Sequence, residues 1–144
     1  MEDLPSAYNV ADSPINDLTL TACDQISTVF RYQINNEPEV IVEEFTIQLN
    51  DDILGFGSNN PINGLYASAF FEAYNLGTDD FEFGFFSVEL NSPTTELDCN
   101  LFFCPTPTID IIEYGGIGNP VIVNIEGTSN EGDNYTVYVN GILE

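Results

Sequence analysis

The chain has 144 residues and a formal net charge of -23, because 24 Asp and Glu residues are opposed by one basic residue, Arg31. One arginine cannot neutralise several phosphates, so we expect no nucleic-acid binding, and the same charge repels anionic lipid head groups. Without His or Lys, the chain lacks Ser-His-Asp and Cys-His arrangements, imidazole metal ligands and Schiff-base lysines. A carboxylate pair, as in glycoside hydrolysis, is the remaining enzymatic option.

The composition predicts a folded, exported domain. Apolar residues make up 43% of the chain, with 11 Phe and 7 Tyr, so a single domain can bury a core despite the charge. The chain contains no run of about 18 apolar residues, so we expect no membrane insertion. Residues 1–5 have neither the basic nor the apolar region of a signal peptide, and we interpret the chain as a mature form whose signal was removed.

The order of apolar residues predicts an all-β fold. Residues 1–16 are expected to form an extended N-terminal arm, and residues 17–144 a single antiparallel β-sandwich or barrel-like domain. From Asp17 onward, apolar and polar residues alternate with period two between turn residues, which is typical of eight or nine half-buried strands. Segment 65–74 is also compatible with a helix, and 91–108 is expected to be irregular. The predicted strands are 18–22, 29–34, 40–49, 53–56, 65–74, 81–90, 109–114, 121–126 and 135–143.

A phase change marks the predicted strand 81–90. Phe81, Phe83 and Phe85 occupy one face, whereas the alternation from Phe86 onward is shifted by one residue. Such a slip beside Gly84 predicts a β-bulge.

The cysteines indicate an oxidising compartment. Cys99 and Cys104 are five positions apart and can form a disulfide across a tight loop, although three reduced and buried cysteines, including Cys23, are the alternative. The tip of that loop carries Leu101, Phe102 and Phe103. It either folds back to plug one end of the sandwich or offers an exposed apolar contact to a partner.

Acidic turns are the candidate metal sites. Asp51 and Asp52, Asp79 and Asp80, and Asp133 place oxygen ligands on three turns, and Ca²⁺ prefers such ligands. Asp is also an ordinary turn residue, so the same pattern fits turns without metal. Six aromatic residues could form a carbohydrate-binding face, because Tyr combines an apolar ring with a polar tip, or could simply cover a sheet face. They are Tyr66, Phe70, Tyr74, Tyr114, Tyr135 and Tyr138.

The N-terminal region and Arg31 suggest assembly. Leu18 and Leu20 belong to an alternating run that could add to the open sheet edge of another subunit, giving a filament if the contacts do not close. The alternative is that this region packs on its own domain or stays free. Arg31 either joins a small surface ion-pair cluster or docks an acidic segment of a neighbour.

The last third resembles a known kind of domain. Residues 111–118 fit I-x-E-Y-G-x-x-G, followed by the Gly127-Thr128 strand end and by Gly132–Val137, which fits G-x-x-Y-x-V. These motifs resemble the C-terminal strands of small secreted or lipid-anchored β-rich domains of Bacteroidota. The resemblance implies an exported β-sandwich and no particular activity.

Together these features predict a non-enzymatic, extracellular or cell-surface protein that acts in adhesion or assembly. We expect self-association through strand edges and the loop tip, with a filament subunit as one form. A Ca²⁺-assisted carbohydrate-binding module is the alternative. We expect no cofactor in the first case and Ca²⁺ in the second.

Overall fold

A computed structural model describes residues 28–144, which form a two-layer antiparallel β-sandwich. The first sheet contains, in spatial order, residues 40–42, 29–34, 134–142, 120–128 and 108–114, and the second contains 45–50, 53–58, 68–74, 82–91 and 96–100. In the described residues, no helix is long and apolar enough to cross a membrane. Four features singled out from the sequence lie outside these residues: the arm 1–16, the strand 18–22, the domain boundary at residue 17 and Cys23. The strands are β1 Val29–Ile34, β2 Val40–Val42, β3 Phe45–Asn50, β4 Ile53–Ser58, β5 Ser68–Tyr74, β6 Glu82–Asn91, β7 Glu96–Asn100, β8 Thr108–Tyr114, β9 Pro120–Thr128 and β10 Asn134–Ile142.

Strand β1 shows how the sequence builds the core. Phe30, Tyr32 and Ile34 alternate with half-buried residues and are themselves buried, as their spacing predicts. The Phe30 ring packs edge-on against Phe56 of the second sheet, with centroids 5.2 Å apart. The Tyr32 hydroxyl donates a hydrogen bond to the backbone oxygen of Asn91 at 2.5 Å. Apolar packing and buried hydrogen bonds between Tyr32 and Asn91 therefore join the two sheets.

The prediction of a single strand over residues 40–49 is wrong. The chain bends at Glu43 and Glu44, so β2 belongs to the first sheet and β3 to the second. Both glutamates are exposed at this crossing. The alternation shifts by one residue between Val42 and Phe45, but such a shift also fits a bulge within one continuous strand.

The segment 91–108, predicted to be irregular, contains strand β7. Leu97 and Cys99 point inward and are buried, and β7 pairs with β6 from Asn91↔Glu96 to Ser87↔Asn100. Segment 65–74 forms β5 rather than a helix.

The β-bulge predicted beside Gly84 is confirmed. Phe71 pairs with Phe86 and Ala73 pairs with Phe83, so the two residues Gly84 and Phe85 lie opposite one residue of β5. Phe85 was expected on the same face as Phe83. It lies instead on the outer face of the sheet, against Phe70, with ring centroids 6.0 Å apart. The bulge therefore lies one residue closer to the start of the strand than the alternation indicates.

The C-terminus covers part of one sandwich edge. Leu143 is fully buried and forms a parallel bridge with Ile47 of the outer strand β3. The amide of Glu144 donates a hydrogen bond to the oxygen of Ile47 at 3.0 Å. This side of the sandwich is therefore partly closed by the chain itself.

Candidate strand-docking site

On the opposite side of the second sheet, β7 is shorter than β6, so part of β6 has no neighbouring strand among residues 28–144. Strand β7 pairs with β6 only from Ser87 onward, so the stretch Glu82–Phe86 extends beyond the end of β7. After β7 the chain turns at residues 101–104 and crosses to β8, the outer strand of the first sheet. The free stretch of β6 therefore faces β8 across the edge of the sandwich.

A groove of 550 Å³ lies along this free stretch of β6. It continues into a second groove of 430 Å³ that shares Phe81 and Ile109 with the first and reaches Tyr114. We call the combined surface the open flank. Its apolar residues are Phe81, Phe83, Leu101, Ile109, Ile111, Ile112 and Tyr114.

The open flank is apolar in its centre and acidic at its rim. Phe81, Phe83 and Ile111 are half-buried and pack against the core, so a further layer would complete their burial. Asp79, Glu82 and the edge residues of β8 bring exposed carboxylates to the rim. A ligand that fits this flank must be apolar on one side and must not be acidic, because like charges at short range repel.

A disulfide braces the turn at one end of the open flank. Cys99 and Cys104 are bonded, with their Cα atoms 5.6 Å apart. The amides of Phe103 and Cys104 both donate to the backbone oxygen of Asn100, at 3.1 and 3.0 Å. The turn is therefore held by covalent and backbone contacts rather than by its own apolar side chains.

The side chains of this turn point to solvent. Phe102 is 85% exposed, Phe103 is 66% exposed and Leu101 is 45% exposed. The alternative in which the tip plugs the end of the sandwich is therefore not what the structure shows. Three adjacent exposed apolar residues beside an unpaired stretch of strand form an apolar surface patch, whereas single exposed apolar residues are ordinary.

The neighbouring edge of β8 is protected against pairing. Ile112 lies at a register shift between Ile111 and Glu113, and it is 61% exposed. Asp110 and Glu113 add exposed carboxylates to the same short edge. Bulges and charges are common means of blocking edge-to-edge association. The free stretch of β6 has a bulge of its own at Gly84 and Phe85 but only one carboxylate, Glu82, so charge opposes an added strand less there than at β8.

The predicted Ca²⁺ residues lie on separate turns. Asp51 and Asp52 occupy the β3–β4 turn, Asp79 and Asp80 the β5–β6 turn, and Asp133 the β9–β10 turn. Asp133 accepts a hydrogen bond from the side-chain amide of Asn35, in the β1–β2 turn, at 2.9 Å. Within residues 28–144, no group of three or more cysteines and carboxylates is arranged to hold a metal ion. Ca²⁺ binding stays a prediction.

Arg31 has two partners inside its own chain. Its Nε lies 3.2 Å from a carboxylate oxygen of Glu39. Its guanidinium carbon lies 4.2 Å from the ring centroid of Tyr138, the residue opposite it on β10. The surface ion-pair interpretation of this residue is therefore the one that the geometry supports.

No protein-family model matches the chain, and no curated protein and no solved structure matches it either. The resemblance to Bacteroidota domains stays a prediction.

Sequence reasoning singled out Leu101, Phe102 and Phe103 but missed Thr106, Ile109 and the free stretch of β6. No sequence motif marks these residues, because the flank depends on the different lengths of two paired strands.

Proposed function

We propose that this chain is a non-enzymatic, exported surface or adhesion protein whose copies assemble by strand addition at the open flank. The observation that supports this most is the free stretch Glu82–Phe86 of β6, which lies beside exposed apolar side chains. The occupant is the segment Leu18–Ala22 of a second copy. It would continue the line of β7 along β6.

The chemistry of segment 18–22 matches the free stretch of β6. The segment is five residues long and so is the stretch from Glu82 to Phe86. Leu18 and Leu20 alternate with threonines, so one face of an added strand would be apolar and the other polar. The segment carries no charge, so the acidic rim would not repel it. In strand addition, backbone hydrogen bonds provide affinity and alternate side chains provide specificity.

The net charge restricts how copies can meet. A chain with one basic side chain cannot form many ion pairs with an identical chain, and Arg31 is already paired with Glu39. Contacts between copies must therefore be apolar, made by the backbone or bridged by cations, and we place them in the first two classes. An added strand supplies both kinds. A disulfide between Cys99 and Cys104 is in keeping with an oxidising, extracellular location.

Light scattering on the full chain tests this proposal. We expect species larger than the 15.9 kDa monomer, and we expect the double substitution Leu18→Asp with Leu20→Asp to return the chain to monomer. Thr19→Asp with Thr21→Asp is the matched control, because it adds the same charge on the polar face and should retain more of the assembly. A monomeric wild-type chain would overturn the proposal. This holds also for a monomer in which segment 18–22 folds onto the open flank of its own chain.

A further inference from the structure

A groove distinct from both grooves of the open flank lies on the outer face of the second sheet, over strand β4. It has a volume of 590 Å³ and is separate from the open flank, because strands β3, β4 and β5 form it. Gly55 and Gly57 occupy two successive outward positions of β4 and leave a channel between the neighbouring strands. Glycine inside a strand often marks a place where a ligand or another backbone approaches closely.

The walls of this groove follow from the strand register. Gly57 lies between Thr46 of β3 and Ser68 of β5, and Gly55 lies between Gln48 and Phe70 in the same way. One wall is therefore made of hydroxyl and amide groups, and the other carries an aromatic ring. A groove with an apolar surface and a few placed polar groups is the usual form of a small-ligand site.

Phe70 is held in place although it is 39% exposed. Its ring meets Phe85 edge-on, with an interplanar angle of 76°. Phe85 occupies this position because of the bulge in β6, which turns it to the outer face. The bulge thus supports an exposed ring at the rim of the groove, and a fixed ring loses less conformational entropy on binding than a free one.

The polar groups of the groove are neutral and available. Thr46 donates to the Oδ1 of Asn59 at 2.8 Å, which leaves the Nδ2 group of Asn59 as a donor. The side chains of Gln48 and Asn50 are exposed and make no hydrogen bond with other residues in the range 28–144. These amides can both donate and accept hydrogen bonds.

The groove differs from the rest of the surface in its charge. None of the described residues that line it is acidic or basic, although acidic residues number 24 in the 144-residue chain. An anionic ligand would still meet the repulsion of the whole protein. A ligand with many hydroxyl groups and no charge fits both the amides and the aromatic wall.

From this geometry we infer that the groove over Gly55 and Gly57 binds a neutral oligosaccharide, without a metal ion. The sugar ring stacks on Phe70, and its hydroxyl groups bond to the amides of Gln48, Asn50 and Asn59. The site requires no contact between copies of the chain. It is therefore independent of the proposed assembly.

Titration calorimetry with the full chain tests this site. The probes are soluble neutral oligosaccharides of glucose, mannose and xylose, with oligogalacturonate as the anionic comparison. We expect at least one neutral probe to bind, with affinity unchanged by EDTA, and oligogalacturonate to bind more weakly. Absence of binding by all neutral probes at about millimolar concentration, equal binding of oligogalacturonate, or loss of binding in EDTA would overturn the inference.

Two substitutions locate the binding. Phe70→Ala should weaken the neutral probe about tenfold, which corresponds to about 1.4 kcal/mol. Gln48→Ala changes an exposed side chain and should weaken it several-fold without affecting the fold. Tyr74→Ala is the matched control, because Tyr74 is a similarly exposed aromatic residue of the same strand outside the groove. Wild-type affinity in both Phe70→Ala and Gln48→Ala would contradict the assignment.

Discussion

Arg31 lies over the ring of Tyr138, its partner on the neighbouring strand, with 4.2 Å between the guanidinium carbon and the ring centroid. The same guanidinium contacts Glu39. The single basic side chain of the protein is thus used within the first sheet. Any contact between copies must then be made by other chemistry, and this is the physical reason for placing assembly at an apolar strand edge.

Replacing Arg31 with lysine should weaken the fold modestly. Lysine keeps the charge but loses the planar group that stacks on Tyr138, so we expect a loss of about 0.5 kcal/mol. Urea unfolding of the single variants and of the double variant with Tyr138→Leu measures the coupling. An equal effect of Arg31→Lys with and without the tyrosine would contradict the stacking role.

Glu37 should contribute stability that depends on pH. Its carboxylate accepts hydrogen bonds from the hydroxyls of Ser92 and Thr95, linking the β1–β2 turn to the β6–β7 turn. These bonds, of which the one from Ser92 has the largest effect, lower the pKa of Glu37 from its ordinary value of 4.5. The stabilisation is therefore present above that value and is lost as pH falls through the lower folded pKa.

Thermal unfolding as a function of pH tests the role of Glu37. We expect Glu37→Gln to unfold at a lower temperature than wild type near neutral pH, and we expect this gap to close in acid. Glu43→Gln removes the same charge at an exposed site and is the control for the general repulsion among carboxylates. A gap that persists unchanged in acid, or that also occurs with Glu43→Gln, would contradict the prediction.

Gly127 should resist substitution because Tyr135 crosses it. The two residues are opposite each other on β9 and β10, and a Cβ added at Gly127 would overlap the Tyr135 hydroxyl and lie 2.6 Å from the ring carbon that bears it. Gly127→Ala should therefore cost about 1–3 kcal/mol in unfolding free energy. Wild-type stability in this variant would show that the ring can move aside.

Tyr135→Phe should be neutral or stabilising and should partly rescue Gly127→Ala. Burial raises the pKa of Tyr135 to about 12, and its hydroxyl has no hydrogen-bond partner among residues 28–144. Removing an unpaired buried hydroxyl costs little, since its desolvation is not repaid in the native state. Chemical denaturation of the single and double variants measures this. A loss above about 1 kcal/mol in Tyr135→Phe would indicate that the hydroxyl has a partner.

Salt should promote assembly if the proposed contacts are correct. Two copies of charge -23 repel each other, and the Debye length falls from about 30 Å in 0.01 M salt to about 3 Å in 1 M salt. We expect the mean mass from light scattering to rise with NaCl when EDTA is present. Dissociation by NaCl would instead indicate contacts made by ion pairs.

Local periodicity predicted the strands but not their partners. The alternation of Phe30, Tyr32 and Ile34 and the phase slip near Gly84 both correspond to features of the structure. The crossing at Glu43 and Glu44 was missed because the phase shift there also fits a bulge within one strand. Strand β7 was missed because it contributes only Leu97 and Cys99 to the core, between prolines that suggest a loop.

The candidate sites needed long-range information. Exposure of Phe102 and Phe103 was one of the two alternatives that the sequence left open for the loop tip. The free stretch of β6 exists because β7 ends opposite Ser87, and this pairing joins residues that no local pattern connects. The groove over Gly55 and Gly57 likewise depends on which residues of β3 and β5 flank the glycines.

Mixing two defective full-length variants tests the central claim most directly. The Leu18→Asp and Leu20→Asp variant retains an intact flank, whereas Leu101→Asp retains an intact segment. Each should be monomeric alone, and their mixture should form a complex of two chains that grows no further. Ile41→Asp, at an exposed site on the far edge of the first sheet, should assemble like wild type. A mixture that stays monomeric, measured by light scattering, while wild type assembles would contradict strand addition at the open flank.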